Sequence, residues 1–405
     1  MIDLSSDTAT RPTAAMRQAM AEAEVGDEQR REDPTVNKLQ EITAALLGKE
    51  AALFLPSGTM CNAIAFCLNA NRGEAVVLDR ESHPNQAEAG GPAWLANVML
   101  RPVDSPRGVF GPDDIRRFLS PGTTHAARTA FVSVENTTNR GGGKVWPLEN
   151  LAALRSLVDD HGMRLHMDGA RLLNAVVATG TPAEVFAGYA DTVWIDLSKG
   201  LGAPVGAVLA GTGEFIERAR LLKHLFGGAM RQAGVIAAAG VYALEHHVDR
   251  LAEDHANARL LADGLAAVPG ISLAHDPIET NIVFFDISGT GLTPDHLEHG
   301  INARGVRFGA NYDFTTLIRG VTHLDVSRAD IEQAVAAVRE TVAEAALAPA
   351  QPGGRGPLAP PVRRQRAPAV DGQPPPCRRH GFPLAPACEG RLELRGRTCA
   401  SVQRG

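Results

Sequence analysis

Short apolar runs alternate with longer amphipathic stretches along the first 347 residues of this 405-residue chain. The short runs have the length of strands, are rich in Val, Ile, Leu and Phe, and stop at polar or turn residues. They predict strands at Ala75–Asp79, Ala130–Val134, Arg164–Met167, Thr192–Leu197, Gly206–Ala210 and Asn281–Asp286.

The stretches between these runs place apolar residues three or four positions apart, which is the spacing of an amphipathic helix. They predict helices at Thr13–Glu24, Thr35–Leu47, Cys61–Leu68, Pro112–Phe118, Leu148–His161, Thr212–Leu225, Gln232–His247, Arg250–Val268, Pro294–Ala303 and Arg328–Glu344. Because strands and helices alternate, we expect an α/β fold with a mostly parallel sheet flanked by helices.

The domain organisation follows from one long helix and one change of composition. The predicted helix that starts at Arg250 would lead from a large domain (13–249) into a small α+β domain (250–347), after an N-terminal segment (1–12). Residues 348–405 are rich in Pro and Gly, with ten Arg against three acidic residues, a net charge of +7. This segment lacks an apolar period and cannot offset its ordering entropy, so we predict a disordered tail.

Charge and hydropathy narrow the choice of partners. The whole chain has a net charge of −6, so we expect no general affinity for nucleic acid or for an anionic membrane. It has no apolar run long enough to span a bilayer, and its acidic, polar N-terminus does not fit a secretory signal. We therefore expect a cytoplasmic protein. The basic tail could bind RNA or lipid, although a solvated appendage is the simpler interpretation. Cysteine spacing does not indicate a metal site.

One lysine stands where a buried strand is predicted to end. The sequence DTVWIDLSKGLGAP runs from an apolar segment into Lys199 and a Gly-rich turn, and the chain has only four other lysines. Ligands bind at strand ends in α/β proteins, and a buried ammonium group is costly unless it is paired, neutral or covalently engaged. A surface lysine is the simpler alternative for Lys199 considered alone.

Three further features indicate a site at the same sheet edge. Asp168 follows an apolar strand and opens a helix, so that Arg171, three residues later, would share its helix face. The turn at Gly58 and Thr59 runs into a helix, where free N–H groups can bind an anion. His83 and Glu88 lie on a loop after the strand that ends at Asp79. Each feature alone also fits a structural role, such as a helix cap or a surface histidine.

The four features together match the needs of pyridoxal 5′-phosphate (PLP). This cofactor requires a lysine for its Schiff base, an acidic partner for its pyridine nitrogen and a cradle for its phosphate, and its ring is commonly stacked against a side chain. The sequence therefore predicts PLP as the cofactor.

Nine collinear blocks resemble the low-specificity L-threonine aldolases, which belong to the β-eliminating lyases and to the fold-type I PLP-dependent family. The resemblance covers the chain to about residue 344. The blocks are DLSSDTATRPT, VGDE…EDPTVNKLQE, GKEAALFLPSGTMCN, H…EAGG, ENTTNRGGGKVWP, LHMDGARLLNA, LSKGLGAPVGAVL, GGAMRQAGVIAAAGVYAL and RGVTHLDVS. The resemblance implies the fold-type I transferase-like fold.

The resemblance also implies roles for the cofactor-binding residues. Lys199 would form the Schiff base and Asp168 would bind the pyridine nitrogen. Arg171 would hold the phenolic oxygen of the cofactor or the substrate. The remaining cofactor contacts would come from Gly58 and Thr59 at the phosphate, from His83 stacked on the ring, and from Arg231, which would reach a phosphate in a neighbouring subunit or form an interface ion pair.

For the substrate, the resemblance implies a carboxylate clamp by Arg319, assisted by Ser6. The base that removes the β-hydroxyl proton would be His83, His125 or a water between them. The reaction would be the reversible cleavage of L-threonine, L-allo-threonine and related β-hydroxy-α-amino acids to glycine and an aldehyde. The implied assembly is a homotetramer, a dimer of dimers with sites at the dimer interface.

Two alternatives remain open from the sequence. The first is a PLP-dependent β-eliminating lyase that acts on another amino acid, and the second is a catalytically inactive scaffold of the same fold. Departures from the family pattern at Ser5, at residues 29–31 and at residues 84–87 leave the preferred aldehyde open.

Overall fold

The computed structural model describes residues 1–309 and 315–347, so the predicted tail lies outside the described residues. Within these ranges the chain forms twelve strands. They are β1 (Ile2–Leu4), β2 (Ala51–Leu55), β3 (Ala75–Asp79), β4 (Met99–Val103), β5 (Thr129–Glu135), β6 (Arg164–Gly169), β7 (Thr192–Asp196), β8 (Ala207–Gly211), β9 (Ser272–Leu273), β10 (Ile282–Asp286), β11 (Val306–Phe308) and β12 (Leu317–Val321).

Thirteen α-helices form in the same ranges. They are α1 (Ala14–Ala21), α2 (Pro34–Leu46), α3 (Gly58–Asn69), α4 (His83–Gln86), α5 (Pro112–Ile115), α6 (Leu148–Asp160), α7 (Leu172–Thr179), α8 (Ala183–Gly188), α9 (Gly213–Leu225), α10 (Gly234–His246), α11 (Leu251–Ala266), α12 (Pro294–Ala303) and α13 (Arg328–Leu347). None of these helices is both long and apolar enough to pass through a lipid bilayer.

The main sheet has seven strands in the order β2-β8-β7-β6-β5-β3-β4. The pairs from β7 to β4 are parallel, whereas β8 runs antiparallel to both β7 and β2. Every residue of β3, β5, β7 and β8 is buried, as expected when helices cover both faces of a sheet. The predicted mostly parallel sheet is confirmed, and the carboxyl ends of β3, β5, β6 and β7 meet at one edge.

A second, smaller structure faces this edge. Strands β12, β10 and β9 form an antiparallel sheet that packs with α11, α12 and α13 around a separate apolar core. The N-terminal strand β1 pairs in parallel with β11, and Leu4 is buried in that second core. The chain therefore starts inside the C-terminal core and then passes the edge of the main sheet. The division at residues 12 and 249 stays a prediction.

Candidate active site

A cavity of about 580 Å³ lies at the carboxyl edge of the main sheet, where β10 and β12 face it. Its volume is within the range of pockets that hold cofactors and substrates. Eight of the ten predicted site residues line it: Ser6, Gly58, Thr59, His83, Asp168, Arg171, Lys199 and Arg319. Residues from opposite ends of the sequence therefore meet in one place.

The other two predicted site residues, His125 and Arg231, lie away from this cavity in the single chain. His125 is exposed on the connection that precedes β5. Arg231 precedes α10 and forms an ion pair with Asp27 at 3.0 Å. Their proposed roles stay predictions.

Lys199 lies three residues after the end of β7. Its Nζ is 3.0 Å from Asp196 Oδ2, and its side chain is 18% exposed. The ammonium group also lies 5.7 Å from the centre of the Trp194 ring. The hydroxyl of Thr10 donates to the Lys199 carbonyl at 2.9 Å. A carboxylate partner thus offsets the cost of bringing this amine into the cavity wall.

The predicted anion cradle is the first turn of α3. This helix begins at Gly58, three residues earlier than predicted, so Gly58 and Thr59 belong to the helix and not to a preceding loop. Ser57 caps it by accepting from the backbone N–H of Met60 at 3.2 Å. The other N–H groups of the first turn have no partner within the helix and carry its positive dipole end. A Cβ at position 58 would collide with the indole ring of Trp194, so the close approach requires glycine.

Asp168 lies within β6 and Arg171 lies at the start of α7, so the prediction that they share a helix face is wrong. The apolar strand continues through Asp168, and both oxygens of its carboxylate accept hydrogen bonds. Asp168 Oδ1 accepts from the N–H of Ala170 at 3.0 Å, and Oδ2 accepts from Asn62 Nδ2 at 2.9 Å. The carboxylate is buried at the centre of the sheet edge.

His83 begins the short helix α4, although the sequence predicted a loop there. Its Nδ1 is 2.9 Å from Glu88 Oε1, and its backbone N–H donates to Glu135 Oε2 at 2.7 Å. The hydrogen bond with Glu88 raises the pKa of His83. Burial and the nearby charge of Asp168 raise the pKa of Glu135 to about 6. The site thus contains a histidine with one nitrogen fixed by a buried carboxyl group.

Two arginines close the cavity on the side of the second sheet. Arg171 donates from Nε and from a terminal nitrogen to the two carboxylate oxygens of Asp7, each at 2.7 Å. Although burial opposes it, the Arg171 guanidinium holds the pKa of Asp7 well below its usual range. Arg319 donates to Asn139 Oδ1 at 2.9 Å and to the Ser5 carbonyl at 3.0 Å. Both guanidinium groups are therefore fixed in orientation.

Comparison with known proteins identifies the family. The model of the family described as beta-eliminating lyase matches residues 3–288, which is more than half of the chain. The chain belongs to the beta-eliminating lyase family. The resemblance predicted from the sequence is thereby confirmed.

Similar proteins agree with this family. The low specificity L-threonine aldolase of Escherichia coli K12 is 42% identical over 337 residues, 83% of this chain and 98% of that protein. The structure of Leishmania major threonine aldolase matches this chain with a TM-score of 0.73 and 21% identity, covering 84% of this chain and 100% of that one. A serine palmitoyltransferase from S. paucimobilis with bound PLP has a TM-score of 0.66 and 18% identity, covering 85% and 88%. These two structures confirm the predicted fold.

Several residues of this site were not predicted from the sequence. They are Asp7, Asn62, Glu135, Trp194 and Asp196, which contact predicted site residues. Glu135 and Asp196 end apolar strands, so the same pattern that indicated Asp168, a carboxylate at the end of an apolar run, also indicates them. Asn62 lies inside an apolar helix, and Asp7 lies far from Arg171 in the sequence. Neither has a local pattern that indicates its partner.

Proposed function

We propose that this chain is a PLP-dependent threonine aldolase. It cleaves L-threonine, L-allo-threonine and related β-hydroxy-α-amino acids to glycine and an aldehyde, and this reaction is reversible. The observation that carries the proposal is the meeting of Lys199, Asp168, His83 and Arg319 around one cavity that also contains a helix N-terminus. The E. coli relative, aligned over nearly its whole length, supports this activity and confirms the function predicted from the sequence.

The side chains of the cavity fit PLP. An amine, a buried carboxylate and the N–H groups of a helix start are the partners that an aldehyde, a pyridine nitrogen and a phosphate each require. Glycine at position 58 leaves room beside Trp194, where a Cβ would not fit. When bound, PLP would supply a conjugated ring that accepts the electron pair of a breaking Cα–Cβ bond.

The cofactor-binding roles follow from position. Lys199 supplies the amine, and Asp196 at 3.0 Å holds that amine at the end of β7. Asp168 presents a carboxylate, which the Ala170 N–H and Asn62 keep in a fixed orientation. An anion next to a pyridine nitrogen favours its protonated form, and protonation makes the ring a stronger electron acceptor. The first turn of α3 supplies donors for the phosphate.

His83 is the candidate base for the β-hydroxyl proton. Because Nδ1 is engaged by Glu88, Nε2 is the nitrogen that can accept a proton. A histidine pKa near neutrality suits this transfer. His125, brought by another subunit, or a water held by His83 remains the alternative. Replacing His83 by Asn while retaining PLP would distinguish the histidine itself from the alternatives.

Arg319 is the candidate clamp for the substrate carboxylate, with Ser6 beside it. A guanidinium can bind a carboxylate through two parallel hydrogen bonds, which fixes the amino acid about its Cα. Asn139 and the Ser5 carbonyl hold this guanidinium from behind. By fixing Cα, Arg319 would determine which of its bonds is presented to the cofactor.

We infer a homotetramer in which a second subunit completes each site. His125 and Arg231 are exposed and lie off the cavity of their own chain, so they are available to a neighbouring site. Trp94, Leu221 and Leu225 are each at least 72% exposed and offer apolar surface for contact. Light scattering after size-exclusion chromatography measures the assembly, and a monomeric active enzyme would contradict it. The cytoplasmic location stays a prediction that cell fractionation would check.

The activity test uses purified protein with added PLP and L-threonine. We expect equimolar glycine and acetaldehyde, and loss of both products in Lys199→Ala. Ammonia with a 2-oxo acid would instead indicate β-elimination, and no product from any β-hydroxy amino acid together with PLP binding would indicate a scaffold. A panel of β-hydroxy amino acids, scored by aldehyde, then defines the preferred substrate.

A further inference from the structure

The side-chain amide of Asn62 makes hydrogen bonds in four directions inside the site. It lies on α3 and is 1% exposed. Its Nδ2 donates to Asp168 Oδ2 at 2.9 Å and to Glu88 Oε1 at 2.7 Å. Its Oδ1 is 2.7 Å from Trp194 Nε1 and 3.2 Å from His166 Nε2. An amide offers two hydrogens and two lone pairs, so its hydrogen-bonding capacity is fully used.

The partners allow only one orientation of this amide. Trp194 Nε1 can only donate, so the amide oxygen must face it. Burial lowers the pKa of His166 to about 3, so its ring is neutral with a single N–H. The same amide oxygen lies 3.2 Å from His166 Nε2 and can only accept, so Thr192 Oγ1 donates to His166 Nδ1 at 2.8 Å. His166 Nε2 therefore carries the hydrogen, and the NH₂ group of Asn62 faces the two carboxylates.

Asn62 thus joins two carboxylates that have different tasks. Asp168 is the proposed partner of the pyridine nitrogen. Glu88 fixes His83 through its Nδ1 at 2.9 Å. Hydrogen bonds to a carboxylate favour its ionised form, so the Asn62 amide stabilises the ionised forms of both Asp168 and Glu88.

The surroundings make this support necessary. Burial raises the pKa of Glu88, and the charge of Asp168 adds to this effect. The titratable groups that pack around the two carboxylates are Cys61 on α3, His83 on α4, Glu135 on β5, His166 on β6 and Asp196 on β7. Glu135 and Asp196 are further carboxyl groups close by, so ionising both Asp168 and Glu88 is costly without hydrogen-bond donors between them.

We propose that Asn62 is a positioning residue that holds Asp168 and the His83–Glu88 pair in one hydrogen-bonded array. This array sets how tightly the site holds PLP. The proposal rests on the PLP-dependent function above. Asn62 touches neither the cofactor nor the substrate in this role. It acts by keeping one carboxylate oriented toward the pyridine nitrogen and the other toward the histidine ring.

The test compares Asn62→Ser with Asn69→Ser in the full-length protein with PLP. Asn69 is a matched control because it is a buried asparagine on the same helix whose amide does not contact Asp168 or Glu88. We expect Asn62→Ser to raise the Kd for PLP about tenfold, since a hydrogen bond to a charged group is lost. Loss of a donor raises a carboxylate pKa, so the pH at which the absorption of bound PLP changes on acidification should rise by about one unit. Asn69→Ser should lower only the melting temperature.

Equal Kd values and unchanged absorption profiles in wild type and Asn62→Ser would overturn the inference. Failure of the wild type to bind PLP at all would instead contradict the proposed function. If Asn62→Ser does not fold, the isosteric Glu88→Gln tests the same array from its other end. It should shift the absorption profile of bound PLP through Asn62, and an unshifted profile would contradict the proposal.

Discussion

Single side chains in this site are held by partners from distant parts of the sequence. Asp7 fixes Arg171, and the Ser5 carbonyl fixes Arg319. Lys199, Asp168 and His83 could be predicted because each follows an apolar run whose end marks a sheet edge. Asp7 and Asn62 could not, since only folding shows which polar group each one contacts.

Arg319 is predicted to act mainly in substrate binding. Arg319→Ala should raise the KM for L-threonine by about tenfold to a hundredfold, because charge-assisted hydrogen bonds to the carboxylate are lost. Arg319→Lys should recover part of this loss, since lysine keeps the charge without the two-pronged geometry. Arg307→Ala, on the exposed side of β11, is the control. An unchanged KM in Arg319→Ala would place the clamp elsewhere.

Gly58 is predicted to be intolerant of a side chain. Gly58→Ala should lower the free energy of unfolding by about 1–3 kcal/mol and weaken PLP binding, because the new Cβ would displace the Trp194 ring. Gly188→Ala is a matched control on α8, where a Cβ meets nothing within 4 Å. It should be neutral or slightly stabilising. Thermal unfolding with and without PLP measures both effects. Equal melting temperatures for Gly58→Ala and Gly188→Ala would refute the packing argument.

At the scale of elements, apolar continuity decided which strands were predictable. The six predicted strands agree with the structure within two residues at each end. Three longer strands were missed for local reasons. β2 is Ala-rich and follows a helix, β4 is an edge strand that contains Arg101 and Pro102, and β12 has Arg319 at its centre. β4 and β12 thus lack the apolar run that marks a central strand, whereas β2 has such a run and was missed directly after a predicted helix.

The N-terminal segment is the element that ties the two cores to the site. Strand β1 pairs with β11, and the turn after it presents Asp7 to Arg171. Thr10 reaches the Lys199 carbonyl. A segment of about ten residues therefore connects the second core to both an arginine and the lysine of the cavity.

Asp7→Ala is predicted to be strongly destabilising. It leaves the buried Arg171 guanidinium without its carboxylate, which typically costs about 3–5 kcal/mol. The folded pKa of Asp7 lies below the unfolded value of 3.8, so its stabilisation is present above pH 3.8 and is lost as the pH falls from there through the folded pKa. On acidification the free energy of unfolding of Asp7→Ala should therefore fall less steeply than that of wild type.

Urea unfolding between pH 3 and pH 7 measures this effect. Asp113→Ala removes a carboxylate that is 96% exposed and paired with Arg116, and it should change the free energy of unfolding by less than about 1 kcal/mol. Parallel curves for wild type and Asp7→Ala would contradict the buried pair.

At the scale of the whole molecule, the site depends on two packed structures that share one cavity. The main sheet supplies Lys199, Asp168 and His83, and the second sheet supplies Arg319. The alternation of strands and helices predicted the first of these. Of the three strands of the second sheet the sequence predicted only β10, because β9 has two residues and β12 carries Arg319 at its centre.

Removal of residues 348–405 is predicted to leave activity unchanged. The residues that line the described cavity all precede this segment. The E. coli aldolase is matched over 98% of its length by only 83% of this chain, so a chain without the remainder suffices in that relative. Steady-state kinetics of the chain ending at Leu347 provide the check. A kcat/KM reduced more than about tenfold would assign the segment a role in the enzyme.

The most direct test of the account is borohydride reduction of the protein with PLP, followed by peptide mass spectrometry. We predict a pyridoxyl group on Lys199 and none on Lys223, which is buried against Glu28. Lys199→Ala should remain unlabelled, with a melting temperature close to that of wild type. A threonine-cleaving protein that carries the label on another lysine, or carries none, would contradict the central claim.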